Sequence, residues 1–419
     1  MEQEEFRLPE GFVDEMSSLP GLDREAFISA MSSSAAVSIK INRRKCADVT
    51  ETGYGSPEPV AWCRSGFYLD ERPKFTLNPL LHAGVFYVQD ASSMIHETLV
   101  SVIADRYGLP DSPLVLDMCA APGGKTTSMI NALPDGSTIV ANEVMPKRAA
   151  ILRENLIKWG YPDILVTNSQ SDRFAALGEV FDIVAVDAPC SGEGMMRKDA
   201  DARSQWSQRL VAQCAALQRE ILANAVAALR PGGFMIYSTC TFNRHEDEEN
   251  VEWLVSEFGL EPIDLHLPAE WGIGAAIGSD IPALRFMPHL TRGEGLFAAL
   301  LRKPGGAPVA NRKKTLEALR KKTRVILDGI PTVNIKGKSE LPASEWALST
   351  QFPRGRFPEA TLDLDTALRY LRHEAIQLPA ETPRGFVVVT YEGHPLGLVK
   401  NIGNRANNLY PAEWRIRNL

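Results

Sequence analysis

Two of the six cysteines directly follow short apolar segments. Cys190 comes just after FDIVAVDA (181–188), which carries the carboxylate of Asp187 near its end, and Cys240 comes after GGFMIYST (232–239). A buried cysteine is most often a small core residue, but a thiol near a carboxylate can also add to an electron-poor ring as a nucleophile. If both segments are parallel strands of one sheet, their carboxyl ends meet at the same edge. The pattern therefore favours covalent catalysis at a sheet edge.

A glycine-rich segment, DMCAAPGGKTT (117–127), follows the end of another apolar run. Its two glycines let backbone amides approach a ligand, and the positive end of the following helix favours a carboxylate or a phosphate. The tripeptide GKT (124–126) also fits the end of a P-loop. However, position 119 holds Cys where a P-loop has its first glycine, and Pro122 has no amide proton. A nucleotide hydrolase is therefore the weaker interpretation.

An acidic residue, Glu143, ends the next apolar run, STIVAN (137–142). An acid at the tip of a second strand, about 20 residues after a glycine-rich loop, can bind both hydroxyls of a ribose. Such an acid can also be no more than a helix cap. Together with the preceding loop, it predicts a nucleoside cofactor.

The elements that must position these residues alternate as in a doubly wound α/β fold. Near-continuous apolar runs predict strands that are buried on both faces, with helical stretches between them. The strands are predicted at 113–119, 137–144, 163–169, 181–188 and 232–240, with an extra edge strand at 293–303, and the helices at 125–133, 147–159 and 204–230. The predicted boundaries give an N-terminal region at 1–75, a catalytic domain at 76–303 and a C-terminal part at 304–419.

The composition is that of an ordinary globular protein. Of 419 residues, 44% are hydrophobic and 23% are charged, which excludes a mainly disordered chain. The acidic start, MEQEEF, is unlike a signal peptide, and we expect a cytoplasmic protein without a membrane partner. The cysteines form no CxxC pair and the seven histidines do not cluster, so no metal is predicted.

The net charge of −7 hides an uneven distribution. Residues 301–340 carry eleven Lys and Arg against three acidic residues. A further basic group stands at 40–45, with Lys40, Arg43, Arg44 and Lys45. A basic run is most often a solvated surface, but both groups could also neutralise the phosphates of a nucleic acid.

Three sequence strings carry a family resemblance. DMCAAPGGKTT, FDIVAVDAPCSGEG and YSTCTFNRHEDEENV closely resemble RNA (cytosine-C5)-methyltransferases, which use S-adenosylmethionine on a Rossmann-like sheet. The closing segment, GLVKNIGNRANNLYPAEWRIR, resembles that of bacterial 16S ribosomal RNA methyltransferases. The resemblance implies a small N-terminal α+β RNA-binding region, the methyltransferase sheet, and a basic linker before a C-terminal PUA-like, mainly-β RNA-binding domain.

The resemblance also implies the cofactor site. Glu143 would bind the ribose of S-adenosylmethionine, and Asp187 would lie near its methionine end. The family's adenine-binding aspartate corresponds to Asp172, with Gln170 at the gapless position as the alternative. The loop that lines the cofactor would consist of Cys119, Ala120, Ala121, Pro122, Gly123, Gly124 and Lys125.

In the resembled family the TC cysteine attacks the base. Cys240 would therefore be the nucleophile at carbon 6 of cytosine, Asp187 would recognise and activate the base, and Cys190 would take part in product release. The expected partner is RNA, with ribosomal RNA or the small ribosomal subunit favoured by the tail. A transfer RNA substrate, a P-loop-like NTPase and a non-catalytic ribosome-assembly factor are the alternatives.

Overall fold

The computed structural model describes residues 6–306, 311–336 and 339–417. Its N-terminal part is a four-stranded antiparallel sheet in the order β2-β3-β1-β4, preceded by two helices. The elements are α1 (Glu10–Ser17), α2 (Arg24–Ser32), β1 (Val37–Ile41), β2 (Glu58–Pro59), β3 (Gly66–Leu69), α3 (Pro79–His82) and β4 (Phe86–Val88). Because β4 pairs with β1, this sheet extends beyond the boundary predicted at residue 75.

The two N-terminal helices pack on the catalytic part of the chain. Phe12 and Phe27 are fully buried and form one apolar cluster with Trp206 and Phe242. The ring of Phe27 meets that of Phe242 edge to face, with 5.2 Å between the centroids. Phe242 lies two residues after Cys240, so these helices support the loop that carries the predicted nucleophile.

A nine-stranded mixed sheet forms the centre of the molecule, in the order β10-β12-β9-β8-β5-β6-β7-β13 with β11 paired to β12. Its strands are β5 (Leu114–Asp117), β6 (Thr138–Asn142), β7 (Ile164–Thr167), β8 (Phe181–Asp187), β9 (Leu229–Thr239), β10 (Glu261–Pro262), β11 (Leu284–Phe286), β12 (Leu296–Arg302) and β13 (Val325–Asp328). Its helices are α4 (Ile95–Tyr107), α5 (Gly124–Ala132), α6 (Pro146–Trp159), α7 (Asp172–Ala175), α8 (Ala200–Gln205), α9 (Gln208–Ala228), α10 (Glu248–Phe258) and α11 (Arg312–Lys322).

The five central strands, from β9 to β7, are parallel, which confirms the predicted Rossmann-like α/β fold. Alternate residues of each strand point to opposite faces. Val115 packs in the apolar cluster that includes residues of α4, α5 and α6, whereas Leu116 packs in the cluster that includes residues of α9 and α10. This burial on both faces explains the near-continuous apolar runs in the sequence.

Two outer parts of the sheet differ from the expectation. The predicted edge strand is β12, but β10 and β11 pair with it, so it does not form the edge. At the other side, β13 pairs antiparallel with β7. Since β13 lies in the segment predicted as a basic linker after residue 303, part of that segment completes the central sheet.

The C-terminal part is mainly β, as expected, and is built on a four-stranded sheet in the order β16-β17-β18-β19. Its elements are β14 (Val333–Lys336), β15 (Ser339–Pro342), β16 (Glu359–Thr361), α12 (Leu364–Leu371), β17 (Gly385–Tyr391), β18 (His394–Asn401) and β19 (Ala406–Asn408). The Thr350 amide donates to the carbonyl of Gly160 at the end of α6, so this part packs against the central sheet layer. No described helix has the length and apolar character needed to cross a membrane.

Three of the four basic residues at 40–45 are engaged inside the protein. Lys40 is fully buried, and its ammonium donates to acceptors of α5 and of Gln89 at 2.7 to 2.8 Å. Lys45 donates to the carbonyls of residues 83 and 158. Arg44 donates to the carbonyl of residue 133 and lies over the ring of Tyr161. The expectation that this group binds RNA phosphates is therefore wrong for Lys40; Arg43 is exposed.

The buried ammonium of Lys40 yields a stability prediction. Lys40→Met should lower the free energy of unfolding by about 2 to 4 kcal/mol, because the oxygen acceptors of Gln89 and α5 lose their hydrogen-bond donor. Arg43→Met, a matched change at an exposed neighbour, should change it by less than about 0.5 kcal/mol. Urea denaturation followed by circular dichroism measures both values. Equal midpoints for the two variants would contradict the structural role.

Candidate active site

The two predicted thiols meet at the carboxyl edge of the central sheet. Cys190 Sγ and Cys240 Sγ are 3.1 Å apart, and both side chains are partly exposed. The register explains the meeting, since Asp187 of β8 pairs with Ser238 of β9 and each cysteine follows its strand within three residues. The loops that follow these two strands thus bring the sulfur atoms into contact.

A buried glutamate from each of these two loops accepts hydrogen bonds from the backbone of the other loop. Glu193, from the loop after β8, accepts hydrogen bonds from the amides of Phe242 (2.6 Å) and Asn243 (3.1 Å). Glu246, from the loop after β9, accepts one from the Ser191 amide (3.0 Å) and one from the Gln218 side chain (2.7 Å). We call this arrangement the glutamate clasp. Burial raises the pKa of Glu193 to about 7, although its N–H donors favour the ionised form.

The residues on either side of Cys240 are fixed by a buried carboxylate. Asp247 Oδ1 accepts hydrogen bonds from the hydroxyls of Thr239 (2.6 Å) and Thr241 (2.9 Å). Arg285, only 1% exposed, lies 3.3 Å from the other oxygen of Asp247. Its guanidinium also binds Glu248 at both carboxylate oxygens, at 2.5 and 2.7 Å. The backbone that presents the thiol is therefore held in one place.

Sequence reasoning missed the clasp and this network. An acidic run such as that at 245–249 is typical of a helix N-terminus and predicts no more than a cap. Glu248 and Glu249 do lie in the first turn of α10, but Glu246, Asp247 and Glu248 are buried. A run of acids next to a cysteine, with a distant arginine at position 285 as partner, gives no local signal that could have revealed these contacts.

Asp187 is held at both carboxylate oxygens. Lys125 Nζ lies 2.7 Å from Oδ2, and the Ser238 hydroxyl donates to Oδ1 at 2.9 Å. Of the two carboxylates at the ends of β5 and β8, Lys125 binds Asp187. The other candidate, Asp117, accepts a hydrogen bond from Thr126 at 2.6 Å, and burial raises its pKa to about 7.

The loop from Cys119 to Lys125 connects β5 to α5, as predicted for a cofactor loop. Gly123 precedes α5 with φ +111°, and no side chain from the described residues caps this helix start. The first amides of a helix can therefore receive a carboxylate. Burial and the nearby carboxylate of Asp117 raise the pKa of the Cys119 thiol well above its usual range, so this cysteine stays a neutral lining residue.

Glu143 stands at the end of β6 and is 3% exposed. It accepts a hydrogen bond from the Met145 amide (2.8 Å), and its other oxygen lies 3.2 Å from Arg148. A carboxylate here and open amides at α5 are the donor and acceptor set that suits the ribose and the amino-acid tail of S-adenosylmethionine. The predicted adenine ligands, Asp172 and Gln170, are both exposed next to the start of α7, and the choice between them stays open.

The described residues include no group of three or more His, Cys, Asp or Glu arranged to hold a metal ion.

Comparisons with known proteins cover all three parts of the chain. Residues 109–302 match the family described as 16S rRNA methyltransferase RsmB/F. Residues 8–91 match the N-terminal domain of 16S rRNA methyltransferase RsmF, and residues 357–416 match the methyltransferase RsmF PUA domain.

Relatives extend over nearly the full length. Ribosomal RNA small subunit methyltransferase F of Pectobacterium atrosepticum is 32% identical over 97% of this chain and 95% of its own, and that of Klebsiella pneumoniae is 32% identical over 97% and 96%. Among solved structures, a methyltransferase homologue from Pyrococcus horikoshii is 27% identical and superposes with a TM-score of 0.59, covering 70% of this chain and 95% of the other.

The contact between the two sulfur atoms gives a direct test of the site geometry. Diamide, which takes two electrons and two protons from a pair of thiols, should join Cys190 and Cys240 in a disulfide. Peptide mass mapping after alkylation should find the two cysteines linked, and dithiothreitol should release them. Cys214→Ser should still form the link, whereas Cys190→Ser should not. Recovery of both thiols free after diamide treatment would contradict the geometry.

Proposed function

The chain belongs to the 16S rRNA methyltransferase RsmB/F family, and on this premise we propose that it methylates carbon 5 of a cytosine in 16S ribosomal RNA through a transient Cys240–cytosine bond. The enzyme is an S-adenosylmethionine-dependent methyltransferase, and its partner is RNA. The observation that supports the cytosine chemistry is the pair of thiols, 3.1 Å apart, beside the Asp187–Lys125 ion pair.

The proposed reaction explains why a thiol is needed. Carbon 5 of cytosine is a weak nucleophile, but addition of the Cys240 thiolate to carbon 6 converts the ring into an enamine. When bound, S-adenosylmethionine supplies an electrophilic methyl group for carbon 5. Loss of the carbon 5 proton then breaks the Sγ–C6 bond and returns the thiolate.

The ion pair gives Asp187 a defined role. As Cys240 adds, negative charge develops on the ring and a proton is required at nitrogen 3. Asp187 can hold that edge of the base and transfer the proton, while Lys125 fixes the orientation of the carboxylate. Because the carboxylate is anchored at both oxygens, it is preorganised before the base arrives.

The contact between the two sulfur atoms supports a role for Cys190 in product release. Its sulfur touches that of Cys240, so the thiol can reach the adduct bond without movement of the backbone. We assign to Cys190 assistance in release of Cys240 after methyl transfer. The cofactor would be held by the 119–125 loop and by Glu143, the residues whose donors and acceptors suit it.

The two cysteines should give different phenotypes. Cys240→Ala should abolish methyl transfer, because the ring is not activated, while binding of S-adenosylmethionine stays within about twofold. Cys190→Ala should accumulate a covalent protein–RNA adduct, visible as a slowly migrating band on a denaturing gel. The assay uses small ribosomal subunits from a strain that lacks the gene, with tritiated S-adenosylmethionine.

Cys214→Ala is the matched control, because Cys214 is another partly exposed thiol, on α9, with no assigned role. It should keep normal turnover. Full activity of Cys240→Ala would overturn the assignment of the nucleophile. Bisulfite sequencing of RNA from the same strain identifies the cytosine, and a missing mark in transfer RNA instead of 16S RNA would overturn the substrate.

Cofactor recognition gives a second measurable expectation. Glu143→Ala should weaken S-adenosylmethionine binding at least about tenfold in calorimetry, because two ribose hydroxyls lose a charged acceptor. Asp172→Ala and Gln170→Ala, measured in parallel, show which side chain contacts the adenine. Unchanged affinity of the Glu143 variant would contradict its assignment, and tighter binding of ATP than of S-adenosylmethionine would contradict the cofactor site itself.

A further inference from the structure

The hydroxyl of Ser238 lies between two acceptors. It is 2.9 Å from Asp187 Oδ1 and 3.3 Å from Nε2 of His96, a residue of α4 that is 1% exposed. A hydroxyl has one proton, so it can donate to only one of the two at a time. The direction of this hydrogen bond therefore depends on the state of its neighbours.

The surroundings of His96 fix its tautomer. Nδ1 lies 3.1 Å from the carbonyl oxygen of Ser93, which can only accept, so Nδ1 carries the proton. Burial, and after it the positive charge of Lys125, lowers the pKa of His96 to about 3, so the ring stays neutral. Nε2 thus presents a lone pair to the Ser238 hydroxyl.

We infer that Ser238 and His96 form a hydrogen-bond relay. Through it, the carboxyl group of Asp187 keeps a hydrogen bond to Ser238 whether or not it carries a proton. This inference rests on the proposed function and deepens it. When Asp187 is ionised, Ser238 donates to it. When Asp187 carries a proton, it donates to the Ser238 oxygen and the hydroxyl turns to His96 Nε2. The 2.9 and 3.3 Å distances allow both arrangements without movement of the chain.

The proposed reaction needs both states. The proton that leaves the Cys240 thiol resides on Asp187 and moves to nitrogen 3 of cytosine as the Sγ–C6 bond forms. No electron is gained or lost by the relay, and no further reactant is required. His96 touches neither substrate nor cofactor in this scheme, so it is a positioning residue that acts through Ser238.

Several charged and titratable groups surround Asp187, and they explain why its protonated form needs a hydrogen-bond acceptor. Lys125 on α5 and Asp117 on β5 both face Asp187. The thiols of Cys119 and Cys190 also face it. Next to His96, the charges are those of Lys125, Asp187 and Lys40. With Lys125 only 2.7 Å away, a protonated Asp187 needs a hydrogen-bond acceptor of its own to be populated.

The test compares two substitutions of His96. His96→Leu removes the acceptor and retains an apolar side chain, whereas His96→Gln keeps an acceptor near the Nε2 position. The single-turnover rate of methyl transfer to small ribosomal subunits is measured from pH 6 to 9 at saturating S-adenosylmethionine. His82→Leu serves as control, since His82 is another buried histidine bonded to a carbonyl, on α3.

The leucine variant should populate the protonated form of Asp187 less during the reaction, because that form loses its hydrogen-bond acceptor. Its single-turnover rate should be about fivefold lower across the pH range, the effect of one lost hydrogen bond. KM for RNA and for S-adenosylmethionine should stay within about twofold. His96→Gln should restore the wild-type rate, and His82→Leu should not lower it.

A wild-type rate for His96→Leu, or a loss of rate that His96→Gln does not rescue, would overturn the relay. RNA that contains 5-fluorocytosine separates this outcome from failure of the proposed function. If the wild-type enzyme forms no adduct with it, the proposed chemistry itself is wrong. If the wild-type enzyme forms the adduct and His96→Leu transfers methyl groups at the wild-type rate, only the relay is wrong.

Discussion

The glutamate clasp between the loops after β8 and β9 sets the position of both thiols. Burying a carboxylate is costly unless its oxygens are hydrogen-bonded. Here the cost is offset by amide donors of the opposite loop, because Glu193 binds the amides of Phe242 and Asn243 while Glu246 binds that of Ser191. Neither loop can adopt this shape alone. The sulfur–sulfur contact is therefore a property of the pair of loops.

The N-terminal part of the chain contributes to the interior of the catalytic centre. Lys40, on β1, donates to the first turn of α5, which follows the cofactor loop. Phe27 of α2 packs on Phe242 beyond the loop that carries Cys240. Because these side chains are buried, the N-terminal part helps to hold α5 and the loop that carries Cys240.

Local pattern was sufficient to predict the central sheet and the meeting of Cys190 with Cys240, since apolar runs buried on both faces have a distinct sequence signal. The sequence carries no local signal for the carboxylate that Lys125 binds, because both Asp117 and Asp187 end strands that lie side by side. The clasp, the Arg285 network and the buried ammonium of Lys40 were beyond sequence reasoning. Each joins residues far apart in the chain whose types are ordinarily exposed, so only the folded packing reveals them.

The electrostatics of the two thiols favour different roles for them. A hydrogen bond with Cys240, together with burial, raises the pKa of the Cys190 thiol well above its usual range. Cys190 therefore keeps its proton and can donate a hydrogen bond to the neighbouring sulfur. In the proposed reaction, the same proton would lie next to the adduct bond when that sulfur leaves as a thiolate. One S–H group would then assist both proposed steps, which gives a physical reason for two cysteines in contact.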